Sequence, residues 1–194
     1  MLRHPRQSGF TLIELLIVVS LLALVAGMII PNASPSFRDQ LKGAAETLAG
    51  DVAYARSLAV SNDSNYRISF DITRNQYVLT HVGTNPAHNT LPRSPYALPS
   101  DPTDKHIVRL ANLPHLGGTA RLHAVRALGS TPQTVNDLEF GPLGETTRPE
   151  ETQIWLATGT GSATRYISVR INPVTGLTWI ENFQATDPTG GGGS

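Results

Sequence analysis

The sequence contains no cysteine among its 194 residues and carries few charges, and both shortages exclude kinds of protein. Without cysteine the chain forms no disulfide and no thiolate zinc site, so the folded part depends on its own apolar core. Lysine plus arginine equals aspartate plus glutamate at 15 each, so the chain has no formal net charge. The charge balance therefore indicates neither nucleic-acid binding nor disorder.

The motifs of common catalytic sites are also missing. No Gly-x-Ser-x-Gly elbow, P-loop or His-Glu-x-x-His pattern occurs. The six histidines are scattered without ligand spacing, and we expect the loop acids Asp101 and Asp104 to be solvated rather than to bind calcium. We therefore expect no enzyme activity, no metal site and no cofactor.

One long apolar run is present at residues 10–30, with Glu14 as its only charge. A helix of this length spans about 31 Å, the thickness of a hydrocarbon core. Arg3, His4 and Arg6 precede the run, a bias that keeps the N-terminus cytoplasmic and sends the remainder across the membrane. A carboxylate inside such a run costs roughly 2.5–3.5 kcal/mol, so the presence of Glu14 needs an explanation.

Three interpretations compete for this segment. A secretory signal peptide has an apolar core of only about 7–15 residues, and its cleavage pattern at residues 23–27 leaves Glu14 unexplained. A plain signal anchor has no use for the acid either. The third interpretation places a cut between Gly9 and Phe10, which creates an α-amine one helical turn from Glu14. A buried carboxylate is tolerable when it is paired with such a cation.

The stretch SGFTLIEL at residues 8–15 resembles the signature of type IV pilins and type II secretion pseudopilins. The resemblance implies that a prepilin peptidase cuts after Gly9 and methylates the new N-terminus at Phe10. It also implies that Glu14 pairs with the N-terminus of a neighbouring subunit and acts as a register device for filament assembly.

A second helical pattern follows two prolines, Pro31 and Pro35, which interrupt the apolar run. Spacings of three and four residues predict one buried helix face made of Phe37, Leu41, Ala45, Leu48, Val52, Ala55 and Ala59. The helix is expected to stop at the five polar residues 61–65.

Alternating apolar residues after the helix predict an antiparallel β region. The expected strands lie at residues 66–72, 76–82, 106–111, 120–127, 137–140, 153–157, 165–171 and 177–181. Residues 83–104, with five prolines, read as a long loop, and the glycine-rich tail 185–194 is expected to be mobile.

Weaker motifs narrow the resemblance to the GspH/FimT group of minor pseudopilins and minor pilins. They are Ala55-Arg56-Ser57 in the helix, FGPLG at residues 140–144 and the final hairpin. The fold implied is α+β and type IV pilin-like, with a long N-terminal helix packed on an antiparallel sheet. The inserted loop 83–104 is the main part that the resemblance does not explain.

The expected organisation has five parts: a cleaved leader 1–9, a transmembrane and filament-core helix 10–30, an amphipathic helix 31–65, a periplasmic head 66–184 and the tail 185–194. The expected function is that of a minor pseudopilin, a structural subunit of a type II secretion pseudopilus. Its expected partners are the prepilin peptidase, other pseudopilins or pilins and the inner membrane.

The alternative is a minor type IV pilin that serves pilus assembly or DNA uptake. Loss of the leader removes Arg3 and Arg6 and leaves 13 basic side chains against 15 acidic ones. Residues 172–194 contain no lysine or arginine, whereas phosphate binding needs local positive charge. The sequence therefore disfavours nucleic acid as a partner.

Overall fold

The computed structural model describes residues 10–29, 36–114 and 118–189. The chain divides into two units, Met1–Pro35 and Ser36–Ser194, and each is described by itself. The expected leader with Gly9, the prolines Pro31 and Pro35 and the last five residues of the tail lie outside the described residues.

The first unit contains one helix, α1, at Leu12–Ile29. Its residues are apolar or small apart from Glu14 in the first turn and Ser20 in the middle. The Ser20 hydroxyl donates to the Leu16 carbonyl oxygen at 2.7 Å, which satisfies it within the helix. Over residues 10–29, 36–114 and 118–189, no helix combines the length and the apolarity needed to cross a membrane.

The second unit, here called the head, begins with helix α2 at Phe37–Ser61. Ser36 and Asp39 form a capping box, because the Ser36 hydroxyl accepts from the Asp39 N–H and the Asp39 carboxylate accepts from the Ser36 N–H, both at 3.3 Å. The buried face contains Leu41, Ala44, Ala45, Leu48, Val52, Ala55 and Ala59. Phe37, expected on this face, is 56% exposed because it lies in the first turn, before the face begins at Leu41.

Two antiparallel sheets follow, where the sequence indicated one. The first, sheet A, has the order β3-β2-β1-β6 and consists of β1 (Tyr66–Asp71), β2 (Gln76–His81), β3 (Lys105–Arg109) and β6 (Asp137–Phe140). The second, sheet B, has the order β5-β4-β7-β8-β9 and consists of β4 (Arg121–Ala127), β5 (Gln133–Thr134), β7 (Thr152–Thr158), β8 (Arg165–Ile171) and β9 (Thr178–Ile180).

The core of the head lies between α2 and the two sheets. Helix α2 contacts β1 and β6 of sheet A and β7, β8 and β9 of sheet B. Small alanines on the buried face of α2 let the sheets approach closely, and Leu48, Ile68, Phe140 and Ile154 fill the space with no exposed surface. One apolar core therefore joins the helix to both sheets.

The expected strands are confirmed: 137–140 and 165–171 have the expected ends, and the others differ by one or two residues. The third expected strand ends early because Leu110–Asn112 forms a 3-10 turn, and β5 was missed because two residues carry no periodic signal. The first part of the expected mobile tail is held, since Asp187 bonds His123 at 3.0 Å and the Thr189 carbonyl accepts from Arg126 at 2.7 Å. Hydrogen bonds to Thr189 and His123 keep the pKa of Asp187 at about 2.

Candidate processing and assembly segment

Helix α1 begins with a side-chain cap close to the expected cleavage point. The Thr11 hydroxyl accepts from the Glu14 N–H at 3.3 Å, and the Thr11 carbonyl accepts from the Leu15 N–H at 3.2 Å. Thr11 is thus the N-cap, and Thr-x-x-Glu has the spacing of a capping box. Glu14 lies in the first turn, where the helix dipole favours a negative charge.

This cap was not predicted, although the sequence carries its signal: Thr11 lies three residues before Glu14. The structure places Phe10 and Glu14 one turn apart and leaves both exposed, Phe10 at 83%. Cleavage, methylation of Phe10 and intermolecular pairing of Glu14 stay predictions, and Gly9 lies outside the described residues.

The apolar surface of α1 is uncovered over its whole circumference. Every side chain from residue 10 to residue 25 is exposed, including Leu12 at 82% and Ile13 at 69%. A helix that is apolar on all sides is stable only when another surface covers it.

The head contains a buried polar cluster between α2 and sheet A. The Tyr77 hydroxyl donates to Asp51 Oδ2 at 2.5 Å, and His106 Nε2 lies 3.8 Å from Asp51 Oδ1. His106 is 6% exposed, its Nδ1 lies 3.2 Å from the Pro92 carbonyl oxygen, and its Nε2 has no hydrogen bond among the described residues. Burial raises the pKa of Asp51, and the Tyr77 hydrogen bond and the His106 charge offset only part of this rise.

A second polar network lies on sheet B. Arg170 contacts both Glu151 and Glu181, and Glu181 also accepts from Ser168 and Gln153. Partial burial raises the pKa of Glu181, but these hydrogen bonds outweigh it, so the pKa lies below its usual value. Most polar groups of both networks are paired with one another, which is the arrangement of structural contacts, but His106 Nε2 and Arg170 Nε have no hydrogen bond among the described residues.

One hydrogen-bond chain has the order of a hydrolytic triad. Ser64 Oγ lies 2.7 Å from His81 Nε2, and His81 Nδ1 lies 2.7 Å from Asn89 Oδ1. Ser64 is only 8% exposed, and a Cβ on Gly83 would lie 2.0 Å from its Oγ, so the backbone of Gly83 closes the space in front of the hydroxyl. These hydrogen bonds therefore connect the loop after β2 to the segment that follows α2. They do not form an open active site.

Within the described ranges, no group of three histidine, aspartate or glutamate side chains is placed to hold a metal ion. Asp101, expected to be solvated, is instead 7% exposed and forms a bidentate pair with Arg109. This expectation was wrong because Arg109 is brought to the carboxylate only by the folded loop.

Residues 4–30 match the family model of the prokaryotic N-terminal methylation motif. Comparison with curated protein sequences finds no match.

Solved structures of similar architecture include the type IV minor pilin FimU of Pseudomonas aeruginosa, 21% identical over 73% of this chain and 93% of that chain, with a TM-score of 0.43. A second crystal form of FimU gives 18% identity, 78% and 92% coverage and a TM-score of 0.42. The minor pseudopilin EpsH from the type 2 secretion system of Vibrio cholerae is 12% identical over 74% of this chain and 97% of that chain, with a TM-score of 0.46.

The methylation motif at residues 4–30 runs into helix α1, and the head has the α+β architecture expected from the sequence. The matched motif includes residues 8–15 and supports the resemblance of that stretch to pilins and pseudopilins.

Proposed function

We propose that the chain is a minor pseudopilin of the GspH/FimT kind, a structural subunit of a type II secretion pseudopilus without enzymatic activity. One observation carries the proposal: the methylation motif leads into a helix whose apolar surface is exposed on all sides and holds a single acid, Glu14. Such a surface suits packing among identical or similar helices, which is how a filament core is built.

In this proposal a prepilin peptidase cuts between Gly9 and Phe10 and methylates the Phe10 amine. The basic leader residues Arg3 and Arg6 keep the N-terminus cytoplasmic, the segment 10–30 anchors the subunit in the inner membrane, and the head lies in the periplasm. Glu14 then pairs with the α-amine of a neighbouring subunit when the helices pack together, because each charge is tolerable in an apolar core only with its partner.

The alternative is a minor type IV pilin. This alternative stays open because the N-terminal segment would serve a pilus and a secretion pseudopilus equally. DNA uptake receives little support from the charges of the head. Arg67 pairs with Glu139, Arg148 with Asp137 and Arg170 with two glutamates, so the charges of these three arginines are balanced within the head. A phosphate backbone needs cations that are free to meet it.

The test replaces Glu14 in the full-length chain by valine and, separately, by glutamine. Glutamine keeps the capping-box pattern with Thr11 but has no charge, so it separates helix capping from ion pairing. Loss of one partner of a buried pair costs about 3–5 kcal/mol, whereas the interaction with the helix dipole is worth about 0.3–1 kcal/mol. Both variants should therefore be processed normally yet fail to assemble.

Two measurements check this result: the N-terminal mass of the membrane-extracted protein and its crosslinking to other subunits. Ser20→Val is the matched control, because it also removes a polar group from α1 but keeps Glu14, and it should assemble like the parent protein. Parental crosslinking of processed Glu14→Val would disprove the assembly role. An N-terminus beyond residue 26 would show a signal peptide instead, and the identity of the crosslinked subunits separates a secretion filament from a pilus.

A further inference from the structure

The outer face of sheet B carries a small apolar cluster, here called the outer cluster, which consists of Trp155, Ala157 and Tyr166. It is separate from the main core, to which Ile154 and Leu156 of the same strand contribute together with α2. Because successive side chains of a strand point to opposite faces, the outer cluster lies on the face turned away from α2. Trp155 and Ala157 are nevertheless only 3% and 0% exposed, so something other than α2 covers them.

A short C-terminal segment crosses this face, residues 185–189, here called the strap. Just before it, the backbones of Gln184 and Tyr166 exchange two hydrogen bonds of 2.9 Å, so the strap starts at β8. It ends at β4, where Asp187 bonds His123, and the ring centroid of His123 lies 4.9 Å from that of Tyr166. Strand β7 lies between β8 and β4 in sheet B, so the strap passes over the outer cluster.

Polar contacts with two side chains of β4 hold the strap in place. The Asp187 carboxylate accepts from His123 Nε2 at 3.0 Å and from the Thr189 hydroxyl at 2.6 Å. The Thr189 carbonyl oxygen accepts from Arg126 at 2.7 Å.

The strap has no apolar anchor of its own, since none of the five residues 185–189 is buried. The side chains of its main contact are also partly exposed, His123 at 22% and Asp187 at 27%. Segments with few buried apolar contacts and exposed hydrogen bonds open locally at a lower free energy than the rest of a domain. The strap therefore covers a buried aromatic surface with contacts that are weaker than those of the core.

We propose that the strap opens and closes over the outer face of sheet B as a unit of its own, with the contact between Asp187 and His123 as its latch. Opening uncovers the outer cluster while the main core stays intact, because the strap lies on the face away from α2. The aromatic surface is then accessible only in the open state. The device does not depend on the proposed filament function, since all its parts lie within the head.

The experiment uses the full-length chain, extracted from membranes in mild detergent, and exploits its lack of cysteine, which makes one introduced thiol the only one. Ala157→Cys places the thiol in the outer cluster. Ala55→Cys, on the buried face of α2, is the matched control, because both alanines have no exposed surface. Labelling with N-ethylmaleimide, followed by mass spectrometry, should be at least about tenfold faster at position 157, because opening the strap requires less free energy than opening the core.

Asp187→Ala, added to the chain with Ala157→Cys, should raise the labelling rate about fivefold, the effect expected from the loss of one or two hydrogen bonds. Asp104→Ala is the matched control, because it removes an exposed acid elsewhere on the head, and it should leave the rate unchanged. Thermal melting of each variant checks that the head stays folded. Equal rates at positions 157 and 55 would overturn the separate opening of the strap, and an unchanged rate in Asp187→Ala would overturn the latch.

A second measurement leaves the outer cluster unaltered. Trp179→Phe removes the more exposed of the two tryptophans and makes Trp155 the only fluorescent indole. Asp187→Ala in this background should increase the quenching of Trp155 by acrylamide. Quenching equal to that of the parent would contradict the proposal even if Ala157→Cys fails to fold.

Discussion

Asp51 is a carboxyl group held between α2 and sheet A, and its raised pKa has a consequence for stability. The folded state binds this proton more tightly than the unfolded state, because burial disfavours the charged form. The contribution of Asp51 to stability is therefore fully present below its ordinary pKa of 3.8 and is lost as the pH rises through the raised value.

Asp51→Asn should remove this loss, since the amide keeps an acceptor for Tyr77 and has no charge to desolvate. The difference in unfolding free energy between variant and parent should grow in favour of the variant as the pH rises above about 4. Tyr77→Phe is the companion variant and should destabilise the head by about 1–3 kcal/mol, because it leaves a buried acceptor unpaired. Urea unfolding of the head at several pH values measures both effects, and a difference that does not change with pH would contradict the assignment.

At this scale the sequence was a partial guide. Glu14 stands out because a carboxylate is improbable among its apolar neighbours, and its role in assembly stays a prediction. The pairing of Asp51 and Asp101 could not be predicted, because their partners Tyr77 and Arg109 come from strands whose positions are known only after folding. A lone acid in a polar stretch carries no signal of its later burial.

At the scale of the element, substitutions in α2 measure how tightly this helix packs against the sheets. Ala55 has no exposed surface, whereas Ala53 two residues earlier is exposed. Ala55→Leu should destabilise the head by about 1–3 kcal/mol, because extra methylenes in a close-packed core force neighbouring groups apart. Ala53→Leu is the control and should change stability little, since leucine and alanine have similar helix propensities.

The free energy of unfolding of both variants, measured with urea, decides between tight and loose packing. If Ala55→Leu is as stable as Ala53→Leu, the helix does not approach the sheets as closely as the structure describes.

Periodicity predicted α2 and most strands because burial on one face repeats every 3.6 or every 2 residues. Periodicity did not predict burial in strands that are buried on both faces. Tyr166 and Ser168 of β8 are buried as well as Ile167 and Val169, because Gln184 and Glu181 bond to that strand from the C-terminal segment. The division of the strands between two sheets also depends on contacts between distant residues, which no local pattern reports.

At the scale of the whole molecule, the head is a folding unit with its own core. One apolar cluster joins α2 to both sheets, and all of its residues belong to the second unit. A fragment that begins at Ser36 should be monomeric and should unfold in one cooperative transition with a mixed α and β spectrum. Size-exclusion chromatography and thermal circular dichroism test this, and a gradual melt or a mainly helical spectrum would contradict it.

The strand order of sheet A also dictates when the head is able to fold during its synthesis. Strand β1 pairs with β6, so Tyr66 meets Phe140 only after 74 further residues have emerged, and β4 and β5 of the other sheet come between them. Until then one edge of β1 offers unpaired N–H and carbonyl groups to any passing strand. A nascent head halted before Asp137 therefore needs protection from aggregation, and its folding is a late event that follows the emergence of nearly the whole chain.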